Sequence, residues 1–289
     1  MPSQDDLSAV QQYAFFDNPE EGGRLMTRNV PSTQSQRDVA TNRGKRSPFK
    51  ADVRLVTCVH GKMSEEESTL ASLIILEYHV GCTGERYRYN SLDTRLAIRS
   101  QMPKDLKDEP FVKAYAPFKL SEVMDPIEVE YTKTGKAEAN VGVSFTPANA
   151  GITVGRDVEK KYKLNSYAFG HAFEEFTDGK PGTDAILWEM RENKIKGVGV
   201  PDTFRVAILV QRANHDKFLV DFSLDLHAGL WFAATETFKS VCGLAEADDP
   251  IIFNPSLGPQ GETAHVKATN LAQYTDQEKL KTLTPIHLL

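Results

Sequence analysis

The feature that most constrains this chain is the alternation over Phe204–Leu226. Phe204, Val206, Ile208 and Val210 recur at every second position, and after Asn214–Lys217 the residues Phe218, Val220, Phe222, Leu224 and Leu226 do the same. A period of two puts each set on one side of an extended strand, whereas a helix would scatter the same residues around its axis. The segment therefore predicts a β-hairpin whose two apolar faces meet one core.

The same texture begins at Phe49. Ala51, Val53, Leu55, Thr57 and Val59 alternate with polar residues, and Leu70–Val80 is an almost continuous apolar run rich in β-branched residues, as expected of a central strand. Leu92, Thr94, Leu96 and Ile98 predict a third strand with one wet face. Pro103, Pro110, Pro117 and Pro126 then punctuate a crossing segment that carries Phe111, Val112, Tyr115 and Phe118. Further strands are expected at Ile127–Tyr131 and Ala139–Phe145 around a turn at Gly135, and at Ile152–Val154, Tyr162–Phe169, Phe173–Phe176 and Ala185–Met190. Trp231–Phe238 is ambiguous. Many short strands with almost no helical period predict an all-β protein, an antiparallel β-sandwich with short peripheral helices and flexible N- and C-terminal tails.

The polar residues concentrate at the ends, which divides the chain into three. Residues 1–48 read as a largely disordered arm, with a small apolar cluster at Tyr13, Phe15 and Phe16 and a basic knot at Arg43, Lys45 and Arg46. Residues 49–256 form the sandwich, and 257–289 a tail whose one possible helix lies in Thr275–Leu283, with Thr275 as N-cap. The hydrophobic share of 40% falls below the roughly 45–50% usual of globular domains, as such polar ends would produce.

Charge argues against nucleic acid and disfavours a membrane surface as partner. With 34 Lys and Arg against 40 Asp and Glu the net charge is -6, so no basic field exists to hold nucleic acid or an anionic membrane. Cys58, Cys82 and Cys242 are dispersed and odd in number, and no CxxC pair occurs, so neither a zinc ribbon nor a disulfide framework is expected. Met1–Val10 is polar, unlike a secretory leader, and no run of about 18 apolar residues occurs, so the expected location is the cytoplasm.

Several stretches together resemble a group of uncharacterised fungal β-rich proteins. They are Phe49–Val59, Arg86–Ile98 (RYRYNSLDTRLAI), Ala116-Pro117, Trp188–Asn193 with Gly199-Val200-Pro201, Phe204–Phe222 and Asp248–Pro255. The resemblance implies an intracellular all-β domain and brings no activity with it.

Three groups of residues have the composition of sites. Asp221, Ser223, Asp225 and His227 stand at spacing two, opposite Phe222, Leu224 and Leu226, and so share one side of a strand. Two carboxylates and an imidazole can act as base or bind a divalent cation if His60 or His79 joins them, although the solvent face of a sandwich strand has the same composition. Cys58 precedes His60 by two residues, which puts thiol and imidazole on one face, as a buried structural pair or as a nucleophile with its base. Trp188 with Arg191, Glu192 and Asn193 has the residue types of a binding surface, while Trp188 also suits the core. Arg86, Arg88, Arg95 and Arg99 read as surface arginines paired with Asp93 or the Glu65–Glu67 run.

No serine-hydrolase elbow, phosphate loop or dinucleotide fingerprint occurs. The expectation is a non-catalytic β-sandwich that binds a protein partner or forms a homo-oligomer, without a cofactor or metal. The alternatives are an enzyme that uses Asp221, Asp225 and His227, possible with a metal, and a membrane-active β protein built on the amphipathic stretch Ile127–Phe145.

Overall fold

The computed structural model describes residues 27–29, 35–44, 48–83, 87–102, 105–118, 121–136, 157–194, 197, 199–228 and 248–287. The expected strands at Ala139–Phe145 and Ile152–Val154, the ambiguous segment Trp231–Phe238, the cluster Tyr13, Phe15 and Phe16, and Arg86 and Cys242 lie outside these residues.

The architecture is an antiparallel β-sandwich. Its strands are β1 (Val39–Arg43), β2 (Phe49–Lys62), β3 (Leu70–Cys82), β4 (Tyr89–Ser100), β5 (Phe111–Ala116), β6 (Ser121–Lys136), β7 (Asp157–Phe176), β8 (Thr183–Arg191), β9 (Thr203–Arg212), β10 (Phe218–Ala228), β11 (Ile251–Phe253), β12 (Gln260–Gly261) and β13 (Ile286–His287). Hydrogen bonding runs in the order β1-β2-β3-β9-β5-β8-β4-β10-β11. The strands β1-β2-β3-β9 and β8-β4-β10-β11 form two halves joined through β5, the proline-punctuated crossing segment, in which Val112 pairs with both Val210 of β9 and Thr183 of β8. The inward side chains of both halves meet in one core that includes Val53, Leu76, Tyr78, Leu96, Trp188, Phe204, Ile208, Phe222 and Leu224.

The predicted hairpin is corrected in one respect. Both apolar faces do enter this core, but β9 pairs with β3 and β5 while β10 pairs with β4 and β11. The turn after Arg212 therefore carries the chain across the sandwich. Alternation states that a face is buried, and two strands facing each other across a core bury their faces as well as two neighbours do.

A second difference lies in β2. Ala51, Val53 and Leu55 face the central core, but a bulge at Val56 shifts the register between Leu55 and Thr57 and inverts the alternation. Cys58 then faces inward and Val59 outward, onto a second apolar cluster with Ala71, Leu73, Ile75, Ala114, Ala207 and Leu209.

The C-terminal residues cover that cluster. A 3-10 turn at Leu271–Thr275 and the helix α1 (Gln277–Lys281) bury Leu271, Tyr274 and Leu280 against it. The Asp276 carboxylate, rather than Thr275, caps α1 by accepting from the backbone N–H of Glu278 at 2.9 Å. Backbone bonds fasten this segment to β2: Glu262 N–H donates to the Val56 carbonyl at 2.7 Å, and Lys62 N–H to Ala268 at 2.8 Å. Gly261 makes the approach possible, since its φ is +80° and a Cβ there would stand 2.1 Å from the Val56 oxygen.

Two arginines of the N-terminal segment close the far side of the sandwich. Arg43, expected in a solvated basic knot, is buried at the end of β1, where it pairs with Asp248 at 2.8 Å and donates to the Leu224 carbonyl of β10 at 3.2 Å. Arg37 donates to the carbonyls of Val39 and Pro250 at 2.9 and 3.1 Å and to the Asn29 side chain at 2.6 Å. A strand thus forms where the sequence reads as arm, because this edge is held by side-chain bonds that no periodicity announces.

Candidate functional site

The polar face of β10 lies in a layer of charged residues on the outer side of β4, β8 and β10. Arg99 forks onto Asp221, Nε to Oδ2 at 2.7 Å and Nη2 to Oδ1 at 3.2 Å. Arg95 holds Glu175 of β7 in the same way, with Nη2 to Oε2 at 2.7 Å. Arg191 bonds Asp93 and stands 3.3 Å from Glu189. Asp225 faces Asp93 directly in the β4–β10 register. Partial burial raises its carboxyl above the ordinary aspartate range and Asp93 adds to this, while His227 and Arg43 oppose it.

His60 and His79 do not join this layer. His79 is exposed on β3, 2.8 Å from Glu77 and 3.3 Å from Thr203, and His60 points between the halves beside Cys58 and Ser72. Among the described residues no three His, Cys, Asp or Glu side chains are grouped as metal ligands. The layer is a set of exposed ion pairs, each contributing about 0–1 kcal/mol. The arginines do pair with carboxylates, but Arg95 and Arg99 choose Glu175 and Asp221, and Arg191 takes Asp93.

The second group separates. Trp188 is fully buried, donates from Nε1 to the Pro117 carbonyl at 2.9 Å, and meets Tyr115 edge-on. Asn193 is buried too, its carbonyl accepting from Gly197 N–H at 2.8 Å. Only Arg191 and Glu192 reach the surface, and Glu192 accepts from Arg88 at 2.9 Å. Strand alternation and burial of the loop thus take Trp188 and Asn193 away from the surface.

Cys58 and His60 are brought together with two residues that sequence reasoning missed, Ser72 and Arg212. Cys58 Sγ lies 3.4 Å from His60 Nε2, and His60 Nδ1 lies 2.7 Å from Ser72 Oγ. The pairings His60 with Ser72, Ser72 with Val210 and Leu70 with Arg212 place all four on the inward side of β2, β3 and β9, at the end of the sandwich where the chain turns into β10. Burial, opposed by Arg212, pushes the Cys58 thiol up to about 12. Burial also pushes His60 down to about 4, and Arg212 adds to that effect. Both groups are therefore neutral at pH 7, and a neutral, fully buried thiol lacks the thiolate that a nucleophile needs. Ser72 and Arg212 had a signal in the sequence: each is a polar residue at an inward position of an apolar alternation.

No family model matches the chain, and no curated protein matches it. The geometry alone therefore carries the functional reading.

Proposed function

We propose that this protein is a non-catalytic β-sandwich that acts by binding protein, in the first instance a second copy of itself, through the ribbon formed by β6 and β7. The single observation that carries this reading is the pairing of β7. Its residues Phe169–Phe176 lie against β8, but Asp157–Ala168 pair with β6 alone among the described residues. At about 3.3 Å per residue those positions extend for roughly 40 Å. An isolated two-stranded ribbon is marginally stable in water, and its outer edges carry unpaired N–H and C=O groups that accept a further strand.

The neutral Cys58 and His60 and the ion-paired face of Asp221 favour binding over catalysis. The net charge of -6 disfavours nucleic acid, and we place the protein in the cytoplasm, in keeping with its free Cys58 and Cys82. No helix among the described residues is long and apolar enough to cross a membrane.

Light scattering on the full chain tests the reading. The expected mass exceeds the 32.2 kDa of one copy, and replacing residues 127–166 by Asn-Gly, which spares every β8 pair, returns a folded monomer. A wild-type monomer at about 100 µM, roughly a hundred times a micromolar Kd, whose ribbon amides are nevertheless protected from exchange would overturn it.

A further inference from the structure

Arg212 is set apart from the other buried arginines. Arg43 has Asp248 as its counter-ion, and Arg37 spends its donors on backbone carbonyls and Asn29 beside Asp248 and Asp249. Arg212 is only 6% exposed. Its Nη1 donates to the Asn214 carbonyl at 2.9 Å and its Nη2 to the Ala71 carbonyl at 3.1 Å, while Nε has no acceptor. Among the described residues no carboxylate lies within ion-pair distance of it, and Cys58, its neighbour, is held as the neutral thiol. A guanidinium lowered only to about 10 by burial keeps its charge at pH 7. Buried charge without a counter-ion and a buried donor without an acceptor are each costly, and an acceptor anion relieves both.

Arg212 also lines a cleft. Asp108, Asp216, Lys217 and Phe218 are among the residues that share its wall, and it opens to solvent. Nε, with its proton unused, lies on a guanidinium edge of the kind that receives two oxygens of one planar group. The rim selects among anions. Asp108 and Asp216 share its wall with a single ammonium, Lys217, so a group with one negative charge is tolerated better than a dianion. Phe218 supplies an apolar wall for a short carbon chain.

We propose that this cleft binds a small monocarboxylate, whose two oxygens are received by the Arg212 guanidinium. The site is independent of the β6–β7 ribbon, and its success or failure leaves that reading untouched.

Sodium acetate titrated into the full-length protein at pH 7 and constant ionic strength tests it, with the His60 imidazole NMR signals and Tm as readouts. The expected result is a saturable shift of the His60 signals and a rise in Tm, both weakened at least tenfold in Arg212→Met. Inorganic phosphate at equal ionic strength should act more weakly than acetate. Absence of a saturable response to acetate, an unchanged response in Arg212→Met, or a stronger response to phosphate would each overturn the proposal. Should Arg212→Met fail to fold, Asp108→Asn with Asp216→Asn replaces it: acetate affinity rises several-fold if the rim acts as described, and unchanged affinity counts against the site.

Discussion

The two outer faces of the sandwich have opposite fates. That of β2, β3, β9 and β5 is apolar around Val59, Leu73, Ala114 and Leu209, and there the chain's own C-terminal segment is laid over it, with Leu271 and Leu280 fully buried, while farther along Arg205 pairs with Glu77. That of β4, β8 and β10 carries paired charges, with Arg99 on Asp221 and Arg95 on Glu175, and remains in contact with water. The first face is stabilised by removing apolar area from water, at about 25 cal/mol per Å². The second needs no cover, and its ion pairs add little stability because solvent already satisfies both partners. Similar alternation in two strands thus leads to a buried layer in one place and a wet one in the other, according to what the outward residues are.

Four substitutions test this contrast, in falling order of effect. Leu271→Ala should cost about 2–5 kcal/mol, since it leaves a cavity under the cover; urea titration measures it, and a loss below about 1 kcal/mol would mean that the segment is only loosely seated. Gly261→Ala should cost about 1–3 kcal/mol through backbone strain and the clash with Val56, with faster exchange at the Glu262 amide as its local sign. On the charged face, Asp221→Asn should cost no more than about 1 kcal/mol, and less still in 1 M salt. A larger, salt-insensitive loss would show that this face is covered after all.

The smallest effect concerns pH. The Asp225 carboxyl is raised in the folded protein above its ordinary 3.8, so across the interval just above that value the native state holds more proton than the unfolded chain. Stability contributed by this group is accordingly present below pH 3.8 and declines as pH rises through the folded value. Asp225→Asn should therefore raise Tm slightly at pH 7 and leave it unchanged near pH 3, as thermal melts at the two pH values would reveal. A fall in Tm at pH 7 would instead assign Asp225 a stabilising partner.

Much of the body was legible from residue pattern. The strands β2, β3, β4, β8, β9 and β10 stand where alternation placed them, and Trp188 is in the core that its strand position suggested. The candidate face of Asp221, Asp225 and His227 was also legible as one side of a strand, but its neighbours were not. Arg99, Glu175 and Arg191 arrive from three other strands, and sequence separation says nothing about which carboxylate each meets. Ser72 and Arg212 are marked in the sequence only as polar residues at inward positions, and only the pairing of β2, β3 and β9 brings them to Cys58 and His60.

By itself, then, the sequence determined that this chain is built of strands and which side of most of them is buried, because a period of two encodes a face. It could not encode the neighbour along the hydrogen bonds, which any extended segment can supply. That was left to the tertiary structure. It sends β9 and β10 to opposite sides of one core, inverts β2 at Val56 to make a second apolar face, and brings the C-terminal residues back to cover it, since apolar area so created is costly unless it leaves water.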